Sequence, residues 1–149
     1  MGSRRSGREM ALQTLYGIEF GRRAWEEAVV DMHDRAVEPV SDDEDLQMMV
    51  RGDSEAREFA EGIVAGVMEH LESIDKLLEE YSTNWKVVRM ARVDRNILRL
   101  ATYELRYRKD IPSRVTINEA VEIAKQYGEK DSGSFINGIL DRIASLGPA

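Results

Sequence analysis

The sequence contains no cysteine and only two histidines and three prolines among its 149 residues. The lack of cysteine excludes disulfide bonds, thiolate catalysis and cysteine-type zinc sites, and it agrees with the reducing cytoplasm that we expect as the location. His33 and His70 each lack a second candidate ligand at a short spacing, so no metal site is predicted. No stretch approaches the roughly 18 consecutive apolar residues of a transmembrane helix, so we expect no membrane span and no membrane partner.

The sequence also lacks the short motifs of common catalytic sites. It contains neither usual glycine-rich phosphate loop and no G-x-S-x-G element. Its carboxylates recur on the polar faces of amphipathic segments, where acids are normally solvated. A hydrolase that uses two of these acids stays open, but nothing marks one pair over another.

Apolar residues recur at three- and four-residue intervals along most of the chain, which is typical of amphipathic helices. No segment shows the alternation of a strand. We therefore predict an all-α, compact single-domain bundle of six or seven helices spanning residues 1–149. The predicted helices are residues 9–20 and 24–36, a long helix capped by Asp53 or Ser54, a central helix closed by Pro112, and a C-terminal pair within residues 118–144.

Several local signals refine this prediction. Residues 37–53 have no sustained period and are predicted to be a connection. Thr116, followed three residues later by Glu119, matches a capping box and predicts a helix start there. Two residues shape the turn between the C-terminal helices: Gly128 is expected to adopt a positive φ, and Asp131 or Ser132 is expected to cap the second helix. Gly62 and Gly66, four residues apart, suggest close approach of a neighbouring helix, with tolerated weakness as the alternative.

Charge is segregated along this acidic chain, whose net charge is −7. Residues 26–61 hold 13 acidic and 3 basic side chains, whereas residues 84–115 hold 9 basic and 3 acidic ones. Residues 1–8 form a predicted flexible basic segment, whose arginines need an external anion such as RNA phosphate to order them. A further arginine stripe on the central helix is predicted to face solvent or an interface, paired with acidic helices of this chain or of a second copy: Arg92, Arg95, Arg99 and Arg106.

The wording of three segments closely resembles the NusB family of bacterial transcription antitermination factors. The segments are NEAVEIAKQYG with DSGSFINGILDRI, then VDRNILRLATYELRYRKDIPSRVTINEA, and RRSGREMALQTLY at the start. The resemblance implies a non-catalytic, cofactor-free, all-helical protein built as two bundles. It implies an RNA-binding factor that pairs with ribosomal protein NusE on the boxA element of nascent transcripts, including ribosomal RNA leaders, in a complex with RNA polymerase.

The resemblance also implies the site residues. The family's arginine-rich RNA-binding motif matches Arg4, Arg5 and Arg8, with Ser6 in place of a further arginine. Asp131 and Phe135 match family positions near the RNA surface. Tyr16 matches a position in the NusE partnership, and Asp94 stands there in place of a glutamate, which keeps the charge and shortens the reach.

Two other classes of function stay open at this point. A related helical domain occurs in certain ribosomal RNA cytosine methyltransferases, but the chain shows no nucleotide-binding loop. A protein-only adaptor or homodimer would instead place the arginine stripe against the acidic helices of another copy.

Overall fold

The computed structural model describes residues 3–21, 44–83 and 85–149 of the chain, and every regular element within these ranges is helical. This confirms the predicted all-α fold. The predicted helix over residues 24–36 lies outside the described residues. The described part of the chain contains six α-helices and one 3₁₀ turn: α1 (Ser3–Gly21), α2 (Glu44–Glu69), α3 (Leu71–Tyr81), the turn Val87–Arg89, α4 (Arg92–Tyr107), α5 (Ser113–Tyr127) and α6 (Ser132–Ala144).

The chain divides into two compact units. The first spans Met1–Ala65 and the second spans Gly66–Ala149. The predicted organisation as one domain stays a prediction.

In the first unit, α1 begins at Ser3, earlier than the predicted start at Glu9. Arg4, Arg5 and Arg8 are therefore helical, and the predicted helix start at Glu9 is wrong, whereas the flexibility of residues 1–8 stays a prediction. Two facts account for the earlier start of the helix. Arginine is a good helix former. Arg8 is also buried on this helix, with 2% of its surface exposed.

The helix α2 also begins earlier than the long helix that was predicted to start at Asp53 or Ser54. It starts at Glu44 and continues through Gly52 and Asp53, so the prediction of a connection is wrong for residues 44–53, and Asp53 or Ser54 is not its cap. The segment EDLQMMVR consists largely of good helix formers, which outweigh one glycine costing about 1 kcal/mol. Residues 37–43 lie outside the described part of the chain.

Gly7 lies where α1 closely approaches α2. A Cβ at Gly7 would come within 2.8 Å of both the Ala56 carbonyl oxygen and Phe59 Cδ1. A backbone oxygen cannot turn aside as a side chain can. The close approach therefore requires glycine at this position.

Gly7→Ala is expected to lower the free energy of unfolding by about 1–3 kcal/mol, because overpacking outweighs the gain in helix propensity. The matched control is Gly17→Ala in the same helix, where no described atom lies within 4 Å of the added Cβ. That variant is expected to gain up to about 1 kcal/mol. Urea denaturation measures both changes, and a stabilised Gly7→Ala protein would contradict the packing described here.

The core of the second unit is built around α4, which confirms the predicted central helix. This helix packs against α3, α5 and α6. Its apolar side chains are buried, including Ile97, Leu98, Leu100, Ala101 and Leu105. Gly66 also contributes to this packing, because a Cβ there would lie 2.1 Å from Tyr103 Cζ on α4. Close approach is thus confirmed at Gly66, whereas at Gly62 no described atom lies within 4 Å.

The predicted arginine stripe is largely committed to contacts inside the second unit. Arg99 donates two hydrogen bonds to the Asp75 carboxylate on α3, at 2.8 and 2.9 Å. Arg106 Nη1 donates to the Gly147 carbonyl oxygen at 2.6 Å, and Arg95 Nη1 donates to the Val88 carbonyl oxygen at 3.3 Å. Arg99 is buried, so the expectation of a solvent-facing or interface-facing stripe is wrong for this arginine. The alternative of pairing within the chain is confirmed for Arg99.

Thr116 does not begin a helix. The helix α5 starts at Ser113, with Pro112 at the N-cap, and Thr116 lies inside it. The Thr116 hydroxyl donates to Glu104 Oε1 at 3.0 Å in the core of the unit. The predicted capping box is therefore wrong, because a buried tertiary partner takes the hydroxyl that would otherwise cap.

Candidate nucleic-acid interface

Within residues 3–21, 44–83 and 85–149, no helix is long and apolar enough to cross a membrane. The same residues contain no group of three or more His, Asp or Glu side chains placed to hold a metal ion. The remaining candidates for a binding site are basic, acidic and aromatic side chains at the surface of each unit.

The second unit has a cleft of about 420 Å³ beside the start of α6. We name it the Trp85 cleft. It brings together three of the predicted site residues, Asp94, Asp131 and Phe135, although two were predicted to bind RNA and one to bind a protein partner. The other lining residues are Trp85, Arg89, Met90, Ala91, Glu129, Lys130 and Ser132.

The cleft lies at the turn between α5 and α6. These two helices confirm the predicted C-terminal pair. Gly128 ends α5 with φ −94°, so the predicted positive φ is wrong. Crowding explains the glycine instead, because a Cβ there would lie 2.7 Å from Ser132 Oγ and 2.8 Å from the Ala124 carbonyl oxygen. Glycine thus lets the chain fold tightly enough to place the start of α6 at the cleft.

Asp131 occupies the predicted N-cap position of α6 but makes no side-chain capping hydrogen bond. The side chain of Ser132 stabilises the turn instead, because its Oγ accepts a hydrogen bond from the Glu129 N–H at 2.9 Å. Asp131 is exposed and lines the cleft. Its carboxylate therefore lies at the cleft without a capping role.

Phe135 is half-buried and lines the cleft. Its ring meets that of Trp85 edge to face, with centroids 6.1 Å apart and planes at 69°. Trp85 is 53% exposed. The two rings together form an aromatic corner in the cleft.

Asp94 lies in the first turn of α4 and is partly buried in the cleft wall. Burial raises its pKa above the ordinary value of 3.8, a hydrogen bond with Ser132 opposes this rise, and the negative charge of Glu129 adds to it. Among the described residues, no group forms a hydrogen bond with Asp94 Oδ1, which is shielded from solvent. The cleft wall thus disfavours the charged form of Asp94.

Asp94→Asn is expected to raise the free energy of unfolding at neutral pH. The folded-state pKa of Asp94 lies above its unfolded value, so the penalty for burying its charge is present at neutral pH and is lost once the carboxyl is protonated in both states. The gain should therefore shrink as the pH falls and vanish below about 3.8. Urea denaturation of both proteins across this range measures the difference, and a gain that grows toward acidic pH would contradict it.

The first unit places the predicted arginines in different environments. Arg4 is exposed and Arg5 is half-buried. Arg8, in contrast, is 2% exposed. The guanidinium carbons of Arg4 and Arg8 each lie 5.3 Å from the centroid of the Phe59 ring, within reach of a cation–π interaction. Arg4 and Arg5 are thus accessible to a ligand, whereas the burial of Arg8 argues for a supporting role.

Tyr16 lies on the same helix as these arginines and is 38% exposed. Twelve residues of α-helix separate it from Arg4, a distance of about 18 Å along the axis. Its exposure suits the predicted contact with a partner protein.

Among the cleft residues that were not singled out by the sequence are Trp85, Arg89 and Lys130. A signal for Trp85 was present, because this large aromatic residue stands in the polar context STNWK, where no apolar period explains it. Arg89 and Lys130 carried no such signal, since both sit in segments with several other charged residues.

Comparison with known proteins gives the family. The family model described as the NusB family matches residues 5–145. The chain belongs to the NusB family. Relatives named transcription antitermination protein NusB include one from Myxococcus xanthus, 46% identical over 97% of this chain and 96% of the relative, and one from Geobacter sulfurreducens, 49% identical over 99% and 98%. These names describe a transcription factor and not an enzyme, as the resemblance implied.

Solved structures show the same fold. NusB of T. maritima, 41% identical, superimposes with a TM-score of 0.77 over 97% of this chain and 92% of that chain. A chain from a structure of antitermination factors NusB and NusE in complex with double-stranded RNA superimposes with a TM-score of 0.77 over 97% of both chains. At 23% identity, the second likeness shows the fold alone.

Proposed function

We propose that this NusB-family chain is an RNA-binding transcription antitermination factor that acts with ribosomal protein NusE on boxA RNA of nascent ribosomal transcripts. It acts in the cytoplasm, in a complex with RNA polymerase. The observation that carries the proposal is the Trp85 cleft, which brings Asp94, Asp131 and Phe135 together in one surface feature. The assembly of NusB with NusE and RNA in a structure of the same fold supports the choice of partners.

The RNA contacts are assigned to both units. In the first unit, Arg4 and Arg5 bind phosphate, and Arg8 supports them from its buried position against Phe59. In the second unit, Asp131 and Phe135 contact bases, because single-stranded RNA is recognised by hydrogen bonds to base edges and by stacking on aromatic rings. The protein partner is assigned to Tyr16 and Asp94.

The mechanism is assembly and involves no chemistry. Arg4 and Arg5 would each contribute about 0.7 to the slope of log affinity against log salt for a single strand, a total of about −1.4, which is a modest electrostatic anchor. A net charge of −7 opposes RNA binding further. A second RNA-binding protein, tethered to the same strand, therefore converts two weak contacts into one stronger composite site.

The homodimer alternative has lost part of the arginine stripe that suggested it. It required an arginine stripe available to another copy, whereas Arg95, Arg99 and Arg106 contact groups of their own unit. A homodimer stays a prediction, and gel filtration over a concentration series measures it.

The specificity of RNA binding tests the proposal. In the presence of NusE, the chain should bind boxA RNA more tightly than a scrambled RNA of the same composition. Raising the salt concentration should weaken both, because phosphate contacts release counterions from either RNA. Equal and salt-insensitive binding to the two RNAs would contradict the proposed function.

A further inference from the structure

Trp85 presents a large aromatic surface that the fold does not bury. It is 53% exposed, and its ring meets Phe135 edge to face rather than in a face-to-face stack. The aromatic corner lies in a cleft of about 420 Å³, within the range of small-ligand sites. A planar group can therefore stack on the indole while remaining within the cleft.

The backbone around Trp85 is held in place by α3. The Ser82 hydroxyl donates to the Trp85 carbonyl oxygen at 2.8 Å, and the Val87 N–H donates to Glu79 Oε1 at 3.2 Å. Since these two bonds hold the Trp85 carbonyl and the backbone two residues further on, less ordering is required when a ligand binds. Trp85 is thus a preorganised platform.

The charged residues of the cleft indicate the class of ligand. Asp131 offers a carboxylate at the start of α6, and the same cleft is lined by two further acids, Asp94 and Glu129, and by two bases, Arg89 and Lys130. An arginine from a protein could stack on the indole and pair with Asp131, but it would bring only positive charge toward Arg89 and Lys130. A nucleotide brings both the donors that a carboxylate accepts and the phosphate that basic side chains bind. The mixture of charges therefore favours a nucleotide.

We propose that the Trp85 cleft holds one unstacked RNA base, with Trp85 as its stacking platform, Asp131 accepting a hydrogen bond from its amino group, and Arg89 and Lys130 contacting the adjacent phosphate. This proposal rests on the proposed RNA-binding function and names the chemistry of one subsite. Guanine fits best, because its adjacent N–H and amino donors match the two oxygens of a carboxylate. Uracil, which has no amino group, fits least.

The test uses the full chain with NusE and a set of boxA RNAs that each carry one abasic site. One abasic position should weaken binding by about tenfold, as expected for the loss of one stacked base. Trp85→Ala should weaken binding to intact RNA by a similar factor, and the abasic site should then have no further effect. Trp85→Phe should retain much of the affinity, because it keeps an aromatic face.

Two controls separate binding from folding. Val88→Ala removes a side chain that is 80% exposed in the same segment and should bind RNA as the unmodified protein does. At the position identified by the abasic scan, replacing guanine by inosine, or adenine by purine, removes only the amino group. That change should weaken binding by the unmodified protein but not by Asp131→Ala.

The contradicting results are distinct from failure of the proposed function. If Trp85→Ala binds every RNA as tightly as the unmodified protein, the subsite is absent, although RNA binding itself stands. If Trp85→Ala instead weakens NusE binding when RNA is absent, and the abasic site still weakens RNA binding by this variant, the indole contacts protein and the inference is overturned. If the unmodified protein binds no boxA RNA in the presence of NusE, the proposed function fails, and the subsite with it.

Discussion

Reversing the charge of both accessible arginines of α1, in the double variant Arg4→Glu and Arg5→Glu, is expected to lower the affinity for boxA RNA by about 100-fold. Each arginine would lose a charge-assisted hydrogen bond to phosphate and gain a repulsive carboxylate. The helix itself should persist, because acidic side chains in the first turn interact favourably with the helix dipole. Fluorescence anisotropy with labelled RNA measures the affinity, and circular dichroism checks the helix content.

The matched control is Lys76→Glu with Arg114→Glu, which makes the same change in net charge at two exposed positions of the second unit. Because this variant has the same total charge, it isolates local contact from general repulsion of RNA. It should lose much less affinity than the α1 variant. Equal losses in the two variants would show that total charge, and not Arg4 or Arg5, determines binding.

Asp75→Ala is expected to lower the free energy of unfolding by about 2–3 kcal/mol, because it leaves the Arg99 guanidinium partly buried without its carboxylate. Arg99 is the more buried partner, with 11% of its side chain exposed against 28% for Asp75. Solvent access on the aspartate side places the effect below the value for a fully buried pair. Urea denaturation measures the loss, and adding Arg99→Met should recover part of it because no buried charge then remains.

Asp110→Ala provides a control of the same geometry. Arg108 donates to both oxygens of Asp110 at 3.0 Å, as Arg99 does to Asp75, but the side chain of Asp110 is 51% exposed. An exposed pair of this kind contributes about 0–1 kcal/mol, so this variant should be nearly as stable as the unmodified protein. Comparable losses in Asp75→Ala and Asp110→Ala would contradict the role given to burial.

Periodicity was sufficient to predict which segments of the second unit are helical. The central helix and the C-terminal pair follow from apolar spacing, and their packing confirms the face chosen for Ile97, Leu100 and Leu105. The limits appear where a polar side chain has a distant partner. Thr116 resembles a cap in sequence but donates to Glu104, and Arg99 resembles a surface residue but pairs with Asp75. Neither partner can be deduced from local spacing.

The candidate site likewise contains residues that the sequence identified and residues that only tertiary contacts reveal. Resemblance supplied Asp94, Asp131 and Phe135, and the structure brings all three to one cleft. It could not supply Trp85, because the exposure of an aromatic ring depends on how the turn after α3 is held. It also grouped Arg8 with Arg4 and Arg5, although packing against α2 buries only Arg8 almost completely. Burial is set by tertiary contacts, and the arginines therefore separate into two roles only in the folded chain.

The affinity of the chain for boxA RNA, measured with and without NusE, tests the central claim most directly. If the two proteins form one composite RNA site, NusE should increase the affinity by about tenfold or more, and RNA should increase the affinity for NusE by the same factor. Identical affinities with and without NusE would contradict the claim that this protein acts by assembling a shared site.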